Sequence, residues 1–144
     1  MFQISTRLRY GLRALVYIAS KNDSKTVNLH EISKNEGISR KYLENIFKLM
    51  KKNRIIKSVR GREGGYSLVK SAEELTLYEI AHAIEGSLSL LVCLKNDAMC
   101  GKAADCGVRL FWGDYQDYIK KYLEKITLRD VIERYMNGSP EIKC

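Results

Sequence analysis

Apolar residues recur at spacings of three and four along most of the chain, the period of a single helix face, and the interruptions are short and polar. Leu8, Leu12, Leu15 and Ala19 predict a helix over residues 5–20 that opens at Ser5 or Thr6, with Arg7, Arg9 and Arg13 off its apolar face. The polar stretch Lys21 to Asn28 reads as a loop. Leu29, Ile32, Ile38, Leu43, Ile46, Phe47 and Met50 then resume the pattern, interrupted at Glu36-Gly37-Ile38-Ser39. That interruption predicts helix, short turn, helix. Gly37 suits the left-handed residue that ends the first helix, and Ser39 can accept a backbone N–H and start the second.

The rhythm changes at Ile55-Ile56-Lys57-Ser58-Val59, followed by Arg60-Gly61-Arg62-Glu63-Gly64-Gly65 and Tyr66-Ser67-Leu68-Val69. Two β-prone runs around a glycine-rich tip predict a hairpin. Leu77, Ile80, Ala81 and Ile84 predict a helix from about Thr76 to Glu85. Residues 86–107 lack a long period. Val108, Phe111, Trp112, Tyr115, Ile119, Tyr122 and Ile126 predict one long amphipathic helix with an aromatic stripe, longer than a small domain needs to bury. A short helix, Leu128 to Tyr135, precedes a polar tail ending at Cys144, and no internal repeat is present.

The expected fold class is mainly α with a small β-hairpin wing: a winged helix-turn-helix domain plus a long helix. The expected organisation is a winged helix-turn-helix over 1–85, with its second helix at about 39–52 and wing at about 55–70. A cysteine loop follows over 86–107, then the long and short C-terminal helices over 108–136, then a tail over 137–144.

Composition sharpens this. The 144 residues are 45% hydrophobic, with one Pro and 10 Gly, which suits a compact domain rather than a low-complexity chain. No window of about 18 apolar residues occurs, and Arg7, Arg9 and Arg13 interrupt the region where a signal peptide would be apolar, so no membrane association and a cytoplasmic location are expected. The formal charge of +8 is unevenly spread. Residues 1–70 carry 16 Lys and Arg against 5 Asp and Glu, a net +11, whereas residues 71–144 carry a net −3 and all four cysteines. A charge that dense in 70 residues points to a polyanionic partner.

Helix, turn, helix and basic hairpin is the order of a winged helix-turn-helix. With Leu43, Ile46, Phe47 and Met50 facing inward, Arg40, Lys41, Glu44, Lys48 and Lys51 project away, with Tyr42 and Asn45 at the margins. Arg40, Lys41, Glu44 and Asn45 lie near the end that enters a major groove first. Arg and Lys suit guanine, Asn suits adenine, and Glu can accept from the cytosine amine. Lys48, Lys51, Lys52 and Arg54 suit phosphates. Arg60 and Arg62 suit a wing that follows the backbone or enters a narrow minor groove, with Gly61, Gly64 and Gly65 allowing close approach. Double-stranded DNA is the expected partner. No Ser/His/Asp grouping, paired acids or phosphate-binding loop supports catalysis, so no enzyme is expected.

The segment Ile38-Ser39-Arg40-Lys41-Tyr42-Leu43-Glu44-Asn45-Ile46-Phe47, with Arg9-Tyr10 before it and Val59-Arg60-Gly61-Arg62-Glu63-Gly64-Gly65-Tyr66 after it, resembles the Rrf-type family of bacterial winged-helix regulators, over about Ser5 to Tyr135. The resemblance implies a homodimer on a roughly palindromic operator, with the helix near 108–126 at the dimer interface. It also places Lys41, Glu44 and Arg60 at base-reading positions, Glu44 being associated with choice between operator classes.

Cys93, Cys100 and Cys106 lie seven and six residues apart. That spacing alone suits an iron-sulfur cluster, zinc, redox thiols or plain free cysteines. Cluster-binding members of the family carry three cysteines in this loop, so the resemblance implies an iron-sulfur cluster, 2Fe-2S, and a regulator whose DNA affinity reports cluster state. The chain departs from the family in the fourth ligand. Arg109 occupies the position where one type has His, and its guanidinium has no lone pair. Thr6-Arg7-Leu8-Arg9 occupies the region where another type has an Asp. Cys144, Asp105, Asp97, a His, a backbone group or an exogenous molecule remain as candidates, while His82 and His30 read as ordinary histidines. Two rival readings are a metal-free regulator controlled by thiols or a partner protein, and an iron-sulfur electron carrier with a docking winged helix.

Overall fold

A computed structural model describes residues 4–21, 26–96, 98 and 100–136, with Tyr135 and Met136 described by their backbone alone. Asp97 and the tail from 137 to Cys144 lie outside the described residues.

Helix α1 (Thr6–Ala19) starts where Ser5 Oγ accepts the Leu8 N–H at 3.0 Å. The expected face packs inward, Leu15 fully buried and Leu8, Leu12 and Ala19 half-buried against the core, but the buried side is broader and also takes in Gly11, Ala14, Val16 and Ile18. It is broader because α1 crosses its neighbours on small residues. A Cβ added to Gly11 would lie 2.5 Å from Ile84 Cδ1 and 3.2 Å from Ile46 Cγ2.

Helix α2 (Leu29–Glu36) is capped by Asn28, whose side chain accepts the Glu31 N–H, and ends at Gly37 in the left-handed conformation, φ 64°. Helix α3 (Arg40–Lys52) follows at once, with Ser39 Oγ accepting the Tyr42 N–H at 3.2 Å. Leu43, Ile46, Phe47 and Met50 are its buried residues, as the period predicts. Strands β1 (Ile56–Val59) and β2 (Gly65–Leu68) form an antiparallel hairpin in which Ile56 opposes Leu68 and Val59 opposes Gly65. Val27, expected in a loop, joins the wing instead: it exchanges two backbone hydrogen bonds with Tyr66, at 2.9 and 2.8 Å.

Helices α4 (Leu77–Glu85) and α7 (Leu128–Met136) begin side by side. Thr76 and Thr127 form a bridge, Leu77 N donates to Ile126 O, and Leu128 N donates to Leu75 O. Each start is boxed by a carboxylate, Glu79 on Thr76 and Asp130 on Thr127. The core runs through α1, α2, α3, α4, the base of the wing and Leu128 and Ile132 of α7.

Between α4 and α7 lie a one-turn helix α5 (Val92–Lys95), a 3₁₀ turn (Ala103–Asp105) and the long helix α6 (Gly107–Lys125). Helix α6 packs on α4 and α5, yet none of its residues is buried. The result is a mostly helical winged-helix fold with a two-stranded wing. Among the described residues no helix is long and apolar enough to cross a membrane.

Candidate nucleic-acid interface and cysteine segment

The buried stripe of α3 turns Arg40, Lys41, Glu44, Asn45, Lys48, Lys51 and Lys52 toward solvent, and Tyr42 lies at the margin. Tyr42 meets the Tyr10 ring edge-on at 5.9 Å, which ties the start of α3 to α1. Arg40 Nε lies 3.3 Å from Glu44 Oε1, one turn along the same exposed face, so the two candidate base readers present a paired donor and acceptor. The wing is set against α3 by Tyr66, whose ring stands edge-on to Phe47 at 4.7 Å.

Helix and wing enclose an open groove of about 510 Å³. Arg40, Glu44, Lys48 and Lys51 line one wall and Ser58 and Tyr66 lie opposite. The groove thus brings Arg40, Glu44 and Lys48 together. Lys41 and Asn45 are exposed on α3 outside it, and Arg60 and Arg62 are exposed at the wing tip.

The tip glycines have a reason internal to the chain. Gly61 adopts φ 124°, which side chains rarely allow, and a Cβ on Gly64 would lie 2.6 Å from Val59 O. A Cβ on Gly65 would lie 2.6 Å from Val27 O, where the extra backbone pair forms. Gly64 and Gly65 therefore serve the turn and the Val27 bridge. Beyond α3, Arg54 is in the left-handed region at φ 56° without being glycine, a conformation sequence reading missed because no residue type signals it.

Cys93 lies on α5, half-buried; Cys100 is exposed; Cys106 is half-buried at the start of α6. All three are free thiols. As a donor set, three accessible sulfurs suit iron-sulfur ligation, and among the described residues neither α5 nor the 3₁₀ turn buries a side chain. They are not gathered, however: among the described residues no three His, Cys, Asp or Glu side chains are arranged to hold a metal ion. Arg109 bridges the two ends of the segment, Nε donating to Cys93 O and Nη1 to Ala103 O, both at 3.2 Å. His30 and His82 are exposed, and His82 lies beside the Tyr78 ring.

The profile of the Rrf2 family, described as an iron-dependent transcriptional regulator, matches residues 4–134. Protein rrf2 of Nitratidesulfovibrio vulgaris is 32% identical over 130 residues, covering 90% of this chain and 87% of that protein. The HTH-type transcriptional regulator IscR of Cronobacter sakazakii is also 32% identical over 130 residues, covering 90% and 80%. Among solved structures, CymR, the global cysteine regulator of B. subtilis, superposes with a TM-score of 0.75 at 29% identity, covering 92% of this chain and 98% of that one.

Proposed function

The chain belongs to the Rrf2 family of transcriptional regulators, and from that premise we propose that it is a homodimeric DNA-binding regulator whose operator affinity is set at Cys93, Cys100 and Cys106. The observation that carries the DNA interface is the groove between α3 and the wing, walled by Arg40, Glu44, Lys48 and Lys51. Arg40, Lys41, Glu44 and Asn45 read base edges in the major groove, with Tyr42 packed behind them, Lys48 meets phosphate, and Arg60 and Arg62 of the wing take the neighbouring minor groove. The operator is roughly palindromic because the two α3 helices of a dimer are related by a two-fold axis.

The thiols of Cys93, Cys100 and Cys106 hold an iron-sulfur cluster of the 2Fe-2S type. The three-thiol donor set and the family's iron dependence support this reading. Bound there, a cluster supplies a redox- and ligand-sensitive center. The chain's own part is mechanical. α5 packs on α6 and α6 on α4, and α4 is tied to α3, since Asn53 Nδ2 at the end of α3 donates to Ala83 O at 3.0 Å. A change in the spacing of Cys93 and Cys106 moves α5 against α6, and α4 carries that movement to the DNA-reading helix.

The ungathered, free thiols favour a second reading, in which they act without metal by reversible oxidation. Anaerobic reconstitution, with iron and sulfide analysis and visible absorption, separates the two. Iron and sulfide bound stoichiometrically, and lost in Cys93→Ala without loss of fold, support the cluster. Colourless protein that forms a reversible disulfide and loses operator affinity on oxidation supports the thiol switch. Failure to bind any palindromic genomic site overturns both.

A further inference from the structure

A 19-residue helix laid on a domain normally buries a row of side chains, because protein interiors are close-packed. Helix α6 does not. Where α4, the segment from Ser87 to Lys95 and α6 face one another, the space is an open cavity of about 450 Å³ instead of filled core. That volume lies within the range of small-molecule sites, roughly 300–1,000 Å³.

The walls have two chemistries. Leu88, Leu90, Leu94, Ile119 and Leu123 line the cavity and are all half-buried, so they offer an apolar surface without closing on one another. Lys95 and Lys120 line it too and are exposed, with Asp117 as the one carboxylate among the lining residues and Glu124 Oε1 3.9 Å from Lys120 Nζ just outside it. The wall geometry is held by the chain itself. Gln116 Oε1 of α6 accepts the Leu90 N–H at 2.9 Å, fixing the 87–91 segment to the helix. Lys120 Nζ sits 5.4 Å over the Tyr78 ring of α4, so one ammonium is positioned across the opening by an aromatic face.

An apolar floor with two exposed ammonium groups at its rim, Lys95 without a carboxylate partner of its own among the lining residues and Lys120 in only a long contact with Glu124, suits an amphipathic anion. We infer that this cavity is a binding site for a small organic anion with an apolar body, such as a medium-chain carboxylate, its charged end between Lys120 and Lys95 and its apolar part on Leu90, Leu94 and Leu123. The site is separate from the DNA groove, but Leu94 and Lys95 of α5 line it beside Cys93, so it is coupled to the state of the thiols and is tested with that state held fixed. An occupant would fill the gap between α4 and α6, so it provides a second input to the same helix that supports α3.

Two probes test this on the full chain with its thiols kept reduced: the fluorescent amphiphile 8-anilinonaphthalene-1-sulfonate, and octanoate as a competitor. Saturable binding of one dye per chain, displaced by octanoate, is expected. Lys120→Glu, which reverses the charge, and Leu94→Trp, which fills the cavity, should each weaken dye and octanoate binding by at least about tenfold, or about 1.4 kcal/mol, with the helical circular dichroism unchanged. Because the dye can also adhere to exposed apolar side chains elsewhere, Ile4→Ser, at a residue 65% exposed and outside the cavity, is the control and should leave the displaceable binding intact. Dye binding that is not displaced by octanoate, that survives both cavity variants, or that disappears in Ile4→Ser would overturn the proposal.

Discussion

Arg60 and Arg54 are both exposed cations near the groove, but they differ in what holds them. Arg60 sits at the wing tip with no structural task visible beyond its charge. Arg60→Ala should therefore leave thermal stability within about 0.5 kcal/mol. The same change should lower operator affinity and reduce the slope of log affinity against log salt by about one phosphate's worth. An unchanged slope in a fluorescence-anisotropy titration would remove Arg60 from the interface. Arg54 instead occupies a left-handed backbone position at φ 56°. Relieving it with Arg54→Gly should stabilise the fold by about 1 kcal/mol in urea unfolding while weakening DNA binding, and Arg54→Ala should weaken binding without that gain. This strain was invisible in the sequence, since an arginine after Lys-Lys-Asn reads simply as more positive charge. The reverse holds for Gly37 and Ser39: both act through local backbone chemistry, and both stand where spacing predicted them.

At the scale of elements, periodicity located the helices better than it oriented them. The stripe of α3 is read correctly because its large apolar residues are the ones that pack. The face of α1 is read too narrowly because Gly11 and Ala14, which carry no strong hydrophobic signal of their own, are buried beside the predicted row, Gly11 against Ile84 and Ile46. Gly11→Val should consequently cost about 1–3 kcal/mol by overpacking Ile84 and Ile46, although valine is more hydrophobic. The capped start of α4 makes a second prediction, on pH. Burial raises the Glu79 carboxyl's pKa, but the Lys70 ammonium and the Thr76 N–H and hydroxyl outweigh it, and the net value lies below the usual carboxylate range. Asp130 is likewise lowered, by the Thr127 backbone N–H and then its hydroxyl. A carboxylate with a depressed folded pKa stabilises the fold above its unfolded pKa and loses that contribution as pH falls through the folded value. Unfolding midpoints should thus drop as pH falls below about 4.3, and Glu79→Gln should be less stable at pH 7 yet show a shallower acid decline. A decline of equal steepness in the two proteins would mean that the cap is not where acid acts.

For the whole molecule, the long aromatic stripe divides in two, and its division bears on assembly. Trp112, Ile119 and Leu123 are half-buried and turn inward, Ile119 and Leu123 lining the cavity against α4. Val108, Phe111 and Tyr122 remain outside, 65%, 61% and 49% exposed, joined by Leu110 and Tyr118, 66% and 69% exposed, which the sequence pattern did not single out. With half-buried Tyr115 between them, Val108, Phe111, Tyr115, Tyr118 and Tyr122 step by three, four, three and four residues, the seam of two helices that wind about each other. An apolar row of this length is costly to leave in water, and the proposed homodimer would cover it with a second copy of the same helix. Substituting both Phe111 and Tyr118 by Asp should then convert the protein to monomers in sedimentation equilibrium, with the α1–α4 core still folded because no residue of that core touches the substituted face. Operator affinity should fall by roughly 100-fold or more on a palindromic site, since each half-site is then bound without the other, while affinity for an isolated half-site should hardly change. A dimer that survives both charges would move the interface off α6. Full operator affinity in a demonstrated monomer would instead separate DNA recognition from pairing, and with it remove the route by which a shift at α5 and α6 alters the spacing of two recognition helices.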